Sequence, residues 1–263
     1  MVSVGLDSYF DQLEPENRDA VIWRFMNMEK FENLIKTAEL YFCRADLFED
    51  DREGLPPEGH HPSPNLNPLD LLDRRTIDNA VGAVAQLREG FYVNCWHLLR
   101  EETCRMWETY GADGVAICSR YSLLKSELGG MSDHSCLGLV RYGFQNVARW
   151  NLFRFVFTKR MEFADENEVR ALLWLTHPHA ATNRHIDADN RVHPRPLTPP
   201  PDSVPDGVRR KVDLRALVTQ IVVSPWASST IFDEITQLVR SGGYEFPVVT
   251  SDLARYRQFL PSL

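Results

Sequence analysis

The sequence feature that most constrains the fold is a charged segment that leads directly into an apolar one. Residues 166–170 read ENEVR, and residues 171–174 read ALLW. Because side chains alternate across a β-strand, a strand that begins here places Glu166, Glu168 and Arg170 on one face. A charged face that enters a buried strand is costly unless its groups are paired or have a function. The segment therefore predicts either a buried polar network or a functional site.

Composition narrows the class of protein. The chain has 263 residues, 43% hydrophobic and 25% charged, which is typical of a globular protein with a sizeable core. Its net charge of −8 disfavours nucleic acid as a partner. No window approaches the roughly 18 consecutive apolar residues of a membrane span, so no membrane partner is expected. Five scattered cysteines and an N-terminus without an apolar leader predict a reduced, cytoplasmic setting without disulfides.

Hydrophobic periodicity predicts an α+β fold with a mixed sheet and irregularly interspersed helices in a single domain, residues 21–263. A helical lead-in is expected over residues 1–20. Proline-rich loops are expected at 55–67 and at 176–211, the second as a surface excursion or lid. Strands are predicted at 21–25, 40–43, 91–97, 114–118, 135–142, 217–223 and 247–250, and helices at 29–39, 69–89, 101–110, 121–128 and 229–240; residues 151–159 fit either type.

Several short motifs in this order are similar to those of one bacterial family. They include Asn-Cys-Trp at 94–96, Met-Trp-Glu-Thr-Tyr-Gly at 106–111 and Glu-Asn-Glu-Val-Arg at 166–170. On these motifs the chain resembles the family called domain of unknown function 2971, over most of residues 21–250. The two long proline loops and the Cys-Trp-His run depart from the family pattern.

A looser similarity is to ADP-ribosyltransferases. Those proteins place Arg or His on a first strand, an aromatic residue in the middle, and a glutamate, often within Glu-x-Glu, on a later strand. Arg24, then Tyr41 or Tyr110, then Glu168 follow that order. One class in that superfamily also has Ser-Thr-Ser before the glutamates, whereas the comparable run here, Ser228-Ser229-Thr230, follows them. The similarity implies an ADP-ribosyltransferase-like fold and, by analogy, a toxin or phage-defence effector.

This similarity implies NAD as a substrate, with an acceptor that the sequence does not identify and no resident cofactor. Cleaving the bond between nicotinamide and ribose passes through an oxocarbenium-like state, which a carboxylate such as Glu168 stabilises. Arg24 would clamp the pyrophosphate, and Glu166 would act as general base. The remaining predicted ligand-binding residues are Tyr41, Trp107, Tyr110, Lys159 and Arg170.

Structural roles are open for the same residues. Glu166, Glu168 and Arg170 fit an ion-paired turn, and Arg24 fits a salt bridge to Glu53 or Glu168. Trp107 and Tyr110, at helical spacing, fit the core. No metal site is expected, because Cys95, His97 and Cys104 lack a second ligand pair. The sequence therefore leaves two hypotheses: an NAD-handling enzyme, or a non-catalytic binding module with a polar network that stabilises its fold. An open cleft beside Arg24 would favour the first.

Overall fold

A mixed β-sheet organises the chain into an α+β fold, as predicted. The computed structural model describes residues 12–48, 50, 53–54, 88–143, 152–175, 184–186, 192–194 and 204–259. Within these residues nine strands form the main sheet, antiparallel except for its last pair. The strands are β1 (Val21–Met26), β2 (Glu39–Arg44), β3 (Phe91–His97), β4 (Val115–Arg120), β5 (His134–Leu139), β8 (Glu168–Trp174), β11 (Gly207–Lys211), β12 (Gln220–Val223) and β13 (Val248–Thr250).

Short strands and helices complete the described structure. Two small ladders pair β6 (Arg141–Tyr142) with β7 (Thr158–Lys159) and β9 (Arg184–Ile186) with β10 (Val192–Pro194). The helices are α1 (Met28–Thr37), α2 (Cys104–Met106), α3 (Tyr121–Gly129), α4 (Leu152–Val156), α5 (Leu214–Leu217) and α6 (Ser229–Ser241), with a π-helix at Trp107–Gly111 and 3₁₀ turns at Ala45–Leu47, Arg88–Gly90, Met161–Glu166 and Asp252–Phe259.

Helix α1 shows how local sequence sets an element that borders the site. The Asn27 side chain accepts a hydrogen bond from the Lys30 amide and caps the N-terminus. Ala38 takes a left-handed conformation (φ 50°) and ends the helix. Phe31, Leu34 and Ile35 bury one face, so the opposite face is free to border solvent.

The main sheet forks at β3. One edge of β3 pairs with β8 along its whole length, from Phe91 opposite Trp174 to His97 opposite Glu168. The other edge is shared: β2 pairs with it only at Tyr92 and Val93, and β1 only at His97. Within the described structure, residues 94–96 therefore have no strand partner on that edge. Strands β1 and β2 diverge there as the two arms of the fork, and α1 connects them in sequence.

Asn94 occupies the gap in the ladder. Its amide nitrogen donates to the main-chain carbonyl of Tyr41 on β2 at 2.7 Å. Its amide oxygen accepts from the Trp96 indole, also at 2.7 Å. The Asn94 side chain thus satisfies the Tyr41 carbonyl, which a continuous ladder would pair with a main-chain amide, and also the Trp96 indole.

Three apolar clusters pack against the sheet. The largest surrounds Trp96 and Ile117 and includes the buried faces of α1, α3 and α6. A second contains Phe91, Phe157 and Leu172, and a third packs around Phe25 and Trp107. Residues 168–173 of β8 are all buried, because Val169, Ala171 and Leu173 pack in the first cluster on one face and Leu172 packs in the second cluster on the other.

Several predicted elements need correction. Residues 12–20, the described part of the lead-in, form turns and no helix. Glu166 ends a 3₁₀ turn, and β8 begins only at Glu168. The excursion at 176–211 includes β11, which extends the main sheet because it pairs with β2. The loop at 55–67 and most of the helix at 69–89 lie outside the described residues. No helix in the described ranges has the length and apolar character needed to cross a membrane.

Candidate functional site

A cleft of about 640 Å³ opens where the sheet forks. This volume is within the roughly 300–1,000 Å³ typical of small-molecule sites. Its walls come from β1, α1, β2, β3, β8 and β11, together with residues near Glu53 and Lys159. Seven of the eight predicted site residues line it: Arg24, Tyr41, Tyr110, Lys159, Glu166, Glu168 and Arg170.

Trp107 is the predicted residue that the structure places elsewhere. It is fully buried, its ring edge packs against Phe25 with centroids 4.9 Å apart, and its indole donates to Glu102 at 2.6 Å. Trp107 and Tyr110 lie on a π-helix, whose turn is wider than that of an α-helix, so their spacing of three does not bring them onto one face. Trp107 therefore does not line the cleft and belongs to the core, the structural role considered for it above.

Glu168 and Arg170 form a buried bidentate ion pair. Arg170 Nε and Nη2 each donate to a different Glu168 oxygen at 2.8 Å. Arg170 also pairs with Glu53, donates to the Val156 carbonyl, and lies 5.3 Å from the Phe48 ring centroid. Burial raises the pKa of Glu168, although the Lys159 ammonium opposes the shift.

Lys159 lies among three carboxylates. Its Nζ is 2.7 Å from Glu166, 3.3 Å from Glu168 and 4.0 Å from Glu53. Burial opposes its charge, but the Glu168 and Glu166 carboxylates outweigh that effect and hold the pKa of Lys159 above its ordinary value. Lys159 is therefore a permanent cation at neutral pH, and it cannot act as an amine nucleophile.

Glu166 reaches the same network from the turn before β8. Asn167 takes a left-handed conformation (φ 42°), which reverses the chain between the two glutamates. Glu166 Oε1 accepts a hydrogen bond from the Tyr110 hydroxyl at 3.1 Å, and its Oε2 accepts from Lys159. Burial and the nearby Glu166 carboxylate raise the pKa of Tyr110, so its hydroxyl stays protonated and donates.

Two residues on β3 complete this wall although they were not predicted as site residues. His97 Nδ1 lies 2.9 Å from the Glu166 carbonyl, which can only accept, so Nδ1 carries the proton. Burial lowers the pKa of His97, so the ring is neutral and its Nε2 is an acceptor. Burial raises the pKa of the Cys95 thiol, and the nearby Glu168 carboxylate adds to that shift. Their shared strand face was visible in the sequence, but their pairing opposite Glu168 and Arg170 was not.

Arg24 differs from the other buried charges of the cleft. It forms no hydrogen bond or ion pair with any residue in the described ranges, and the salt bridge to Glu53 or Glu168 considered above is absent there. Those carboxylates pair with Arg170 and Lys159 instead. Burial lowers the pKa of Arg24 to about 10, so it remains charged at neutral pH. A half-buried, unpaired guanidinium on a cleft wall is suited to bind an anion.

Tyr41 lies on the β2 arm of the fork. Its side chain is 38% exposed, and Arg209 of the adjacent strand β11 stacks on its ring at 5.2 Å from the centroid. The ring also passes directly over Gly207, where a Cβ atom would lie 2.1 Å from the tyrosine oxygen. Tyr41 therefore presents a supported aromatic surface to the cleft.

The comparisons add no assignment. Comparisons with models of known protein families, with curated proteins and with solved structures gave no match. The resemblance described above therefore stays a prediction. Within the described ranges, no cluster of three or more His, Cys, Asp and Glu side chains has the arrangement of a metal site.

Proposed function

We propose that this protein is an ADP-ribosyltransferase-like enzyme that binds NAD in the forked-sheet cleft and cleaves its nicotinamide–ribose bond. The observation that supports this most is that Arg24, which has no ion-pair partner among the described residues, meets the Glu166 and Glu168 carboxylates in one cleft of dinucleotide size. Arg24 comes from β1, Glu166 ends the 3₁₀ turn before β8, and Glu168 is the first residue of β8. The cleft therefore offers a positive side chain that suits the phosphates of NAD and negative side chains that suit the reacting ribose.

Arg24 would bind the pyrophosphate of NAD. A guanidinium can donate two parallel hydrogen bonds to one phosphate, and this one has no competing carboxylate among the described residues. Its half-buried position weakens solvent screening, which strengthens the attraction to an anion. Such binding also orients the ligand, because the pyrophosphate is fixed at one end of the cleft.

The glutamates would act at the ribose. When the bond between ribose C1′ and the nicotinamide nitrogen breaks, its electron pair leaves with nicotinamide, and C1′ gains positive character. The Glu168 carboxylate stabilises that charge. The acceptor, or water in hydrolysis, attacks C1′ and gives its proton to Glu166. Tyr110 and Lys159 hold the Glu166 oxygens in place, and the exposed ring of Tyr110 offers a surface for nicotinamide.

The test is nicotinamide release from NAD by wild type, Arg24→Gln and Glu168→Gln. Release by wild type is expected to require both residues, with a higher KM in Arg24→Gln and a lower kcat in Glu168→Gln. Glu162→Gln is the control, because Glu162 pairs with Arg160 at the surface and does not line the cleft. Equal release by wild type and Glu168→Gln, or none from wild type with protein, nucleic-acid and small-molecule acceptors, would exclude the mechanism.

A non-catalytic binding module is the second candidate function, and the Glu168–Arg170 pair favours it. Both side chains are almost completely buried, at 3% and 1% exposure, and each satisfies the other. Such a pair can fix a fold without chemistry. If this function holds, Glu168→Gln lowers the melting temperature while wild type shows no NAD turnover and still binds a nucleotide in the cleft.

A further inference from the structure

The part of the cleft rim formed by α1, β2 and β11 carries a guanidinium held in place by two neighbours, that of Arg209. Arg209 Nη1 donates to the Asn33 side chain of α1 at 2.6 Å, and the guanidinium stacks on Tyr41 of β2. It is thus oriented by two different elements and lines the cleft. Among the described residues it has no carboxylate partner, so its remaining N–H groups are available to a ligand.

Lys30 lies on the same rim. It precedes Asn33 by three residues on α1, and positions three apart share a helix face. It lines the cleft and has no ion pair among the described residues. The acidic residues of this rim are Glu29 and Glu39, and Glu39 already pairs with Lys211 at 3.5 Å. In the described ranges, the rim therefore has two cations without an ion-pair partner, Arg209 and Lys30, and one such carboxylate, Glu29.

We infer that Arg209 and Lys30 form a second anion subsite, which takes a phosphomonoester on the ligand. A phosphomonoester carries about two negative charges, which suits two cations better than a carboxylate does. This inference rests on the proposed function, because Arg24 is assigned to the pyrophosphate. For a dinucleotide, the second phosphate is that of the adenosine ribose, and an arginine beside the ribose is a known device for selecting it. The cleft therefore prefers NADP to NAD.

The test uses two nucleotides that differ only in this phosphate. Isothermal titration calorimetry of the full chain with adenosine 2′,5′-bisphosphate and with AMP measures the subsite without any turnover. Wild type is expected to bind the bisphosphate about ten- to a hundredfold more tightly, the size of one charge-assisted hydrogen bond. Arg209→Gln and Lys30→Gln each narrow this ratio, whereas Arg24→Gln weakens both nucleotides alike. Arg209→Gln also removes the stacking on Tyr41, whereas Lys30→Gln leaves it intact. A smaller ratio in Lys30→Gln is therefore due to the lost charge and not to a displaced Tyr41 ring.

Arg210→Gln is the matched control, since Arg210 is the next residue on β11, points to the opposite face and pairs with Asp133. It keeps the wild-type ratio. Equal affinity of wild type for both nucleotides, binding of neither, or an unchanged ratio in Arg209→Gln overturns the subsite. Failure of the proposed function is a different result, namely selective binding of the bisphosphate without nicotinamide release. Conversely, nicotinamide release together with equal affinity for adenosine 2′,5′-bisphosphate and AMP overturns the subsite and leaves the proposed function standing.

Discussion

Glu168 and Arg170 are two residues apart on β8, and each nitrogen of Arg170 that faces Glu168 lies 2.8 Å from a separate carboxylate oxygen. The alternation of a strand brings both side chains to the same face, where they are almost completely buried. The pair thus supports the wall that holds Lys159 and Glu166.

Arg170→Met is expected to destabilise the protein by about 3–5 kcal/mol, because it removes the buried guanidinium that pairs with both Glu168 and Glu53 and leaves them with Lys159 alone among the described residues. Urea denaturation measures the loss. The control is Arg105→Met, which breaks an exposed pair with Asp165 and costs about 0–1 kcal/mol. Equal losses in the two variants would show that the buried pair has no special structural role.

Tyr110→Phe and Trp107→Ala are expected to have opposite effects. Tyr110→Phe removes the hydroxyl that donates to Glu166, so it lowers nicotinamide release while the free energy of unfolding changes by about 1 kcal/mol or less. Trp107→Ala opens a core cavity and lowers that free energy by about 3–5 kcal/mol. Urea denaturation and turnover per folded molecule measure the two effects. Trp107→Ala would contradict the assignment of Trp107 to the core if it left stability unchanged and abolished turnover.

Gly207→Ala is expected to displace the Tyr41 ring, because the new methyl group would overlap the phenol. Nucleotide affinity in the cleft falls, by an amount that calorimetry with AMP measures. In a Tyr41→Ala background the same glycine substitution has no further effect, since the ring that it displaces is gone. An additive effect in the double variant would mean that Gly207 acts independently of Tyr41.

His97 is expected to make stability depend on pH. Its pKa in the folded chain lies below the ordinary value of 6.5, so the unfolded chain binds the proton first as pH falls. The stability that neutral His97 contributes is therefore complete above pH 6.5 and is lost as pH falls from there through the folded pKa. Nearby Lys159 and Arg24 also disfavour the protonated ring.

Urea denaturation of wild type and His97→Asn at several pH values between about 7.5 and 5 measures this effect. The asparagine amide can still donate to the Glu166 carbonyl. The difference in stability between wild type and variant shrinks on acidification. The contribution of Glu168 to stability changes with pH in the opposite direction, because its pKa is raised in the folded chain. Glu168 is present in both wild type and variant, so its contribution cancels from the difference. A difference that is constant with pH would show that His97 does not titrate in this range.

Much of the fold was predictable because apolar runs bounded by turn residues specify strands locally. Strand β3 was predicted to the residue, and β1, β2 and β12 within a few residues. Helix α6 begins at its predicted cap, Ser228. These elements depend on neighbours in sequence, which is the information that periodicity carries.

The cleft was predictable only in part. Charged residues in apolar settings, such as Arg24 and Glu168, stood out because burial of charge is costly. The fork, the role of His97 and the contribution of Arg209 depend on which strands pair and in which register. Hydrophobic periodicity along one sequence does not reveal which strands become neighbours. Trp107 lies in the core, the structural role that its spacing from Tyr110 had indicated, whereas Tyr110 lines the cleft because a π-helix turns the two residues to different sides.

The fork in the sheet has a mechanical consequence. Among the described residues, the arm containing β2 and β11 pairs with β3 at residues 92–93, and the arm containing β1 and β4 pairs with β3 at residue 97. The Asn94 side chain adds one further hydrogen bond from β3 to β2. A ligand that contacts Arg24 on one arm and Tyr41 on the other would hold the two arms at a fixed angle to each other. If a ligand contacts both arms, we expect its binding to slow hydrogen exchange at backbone amides of β11 as well as of β1.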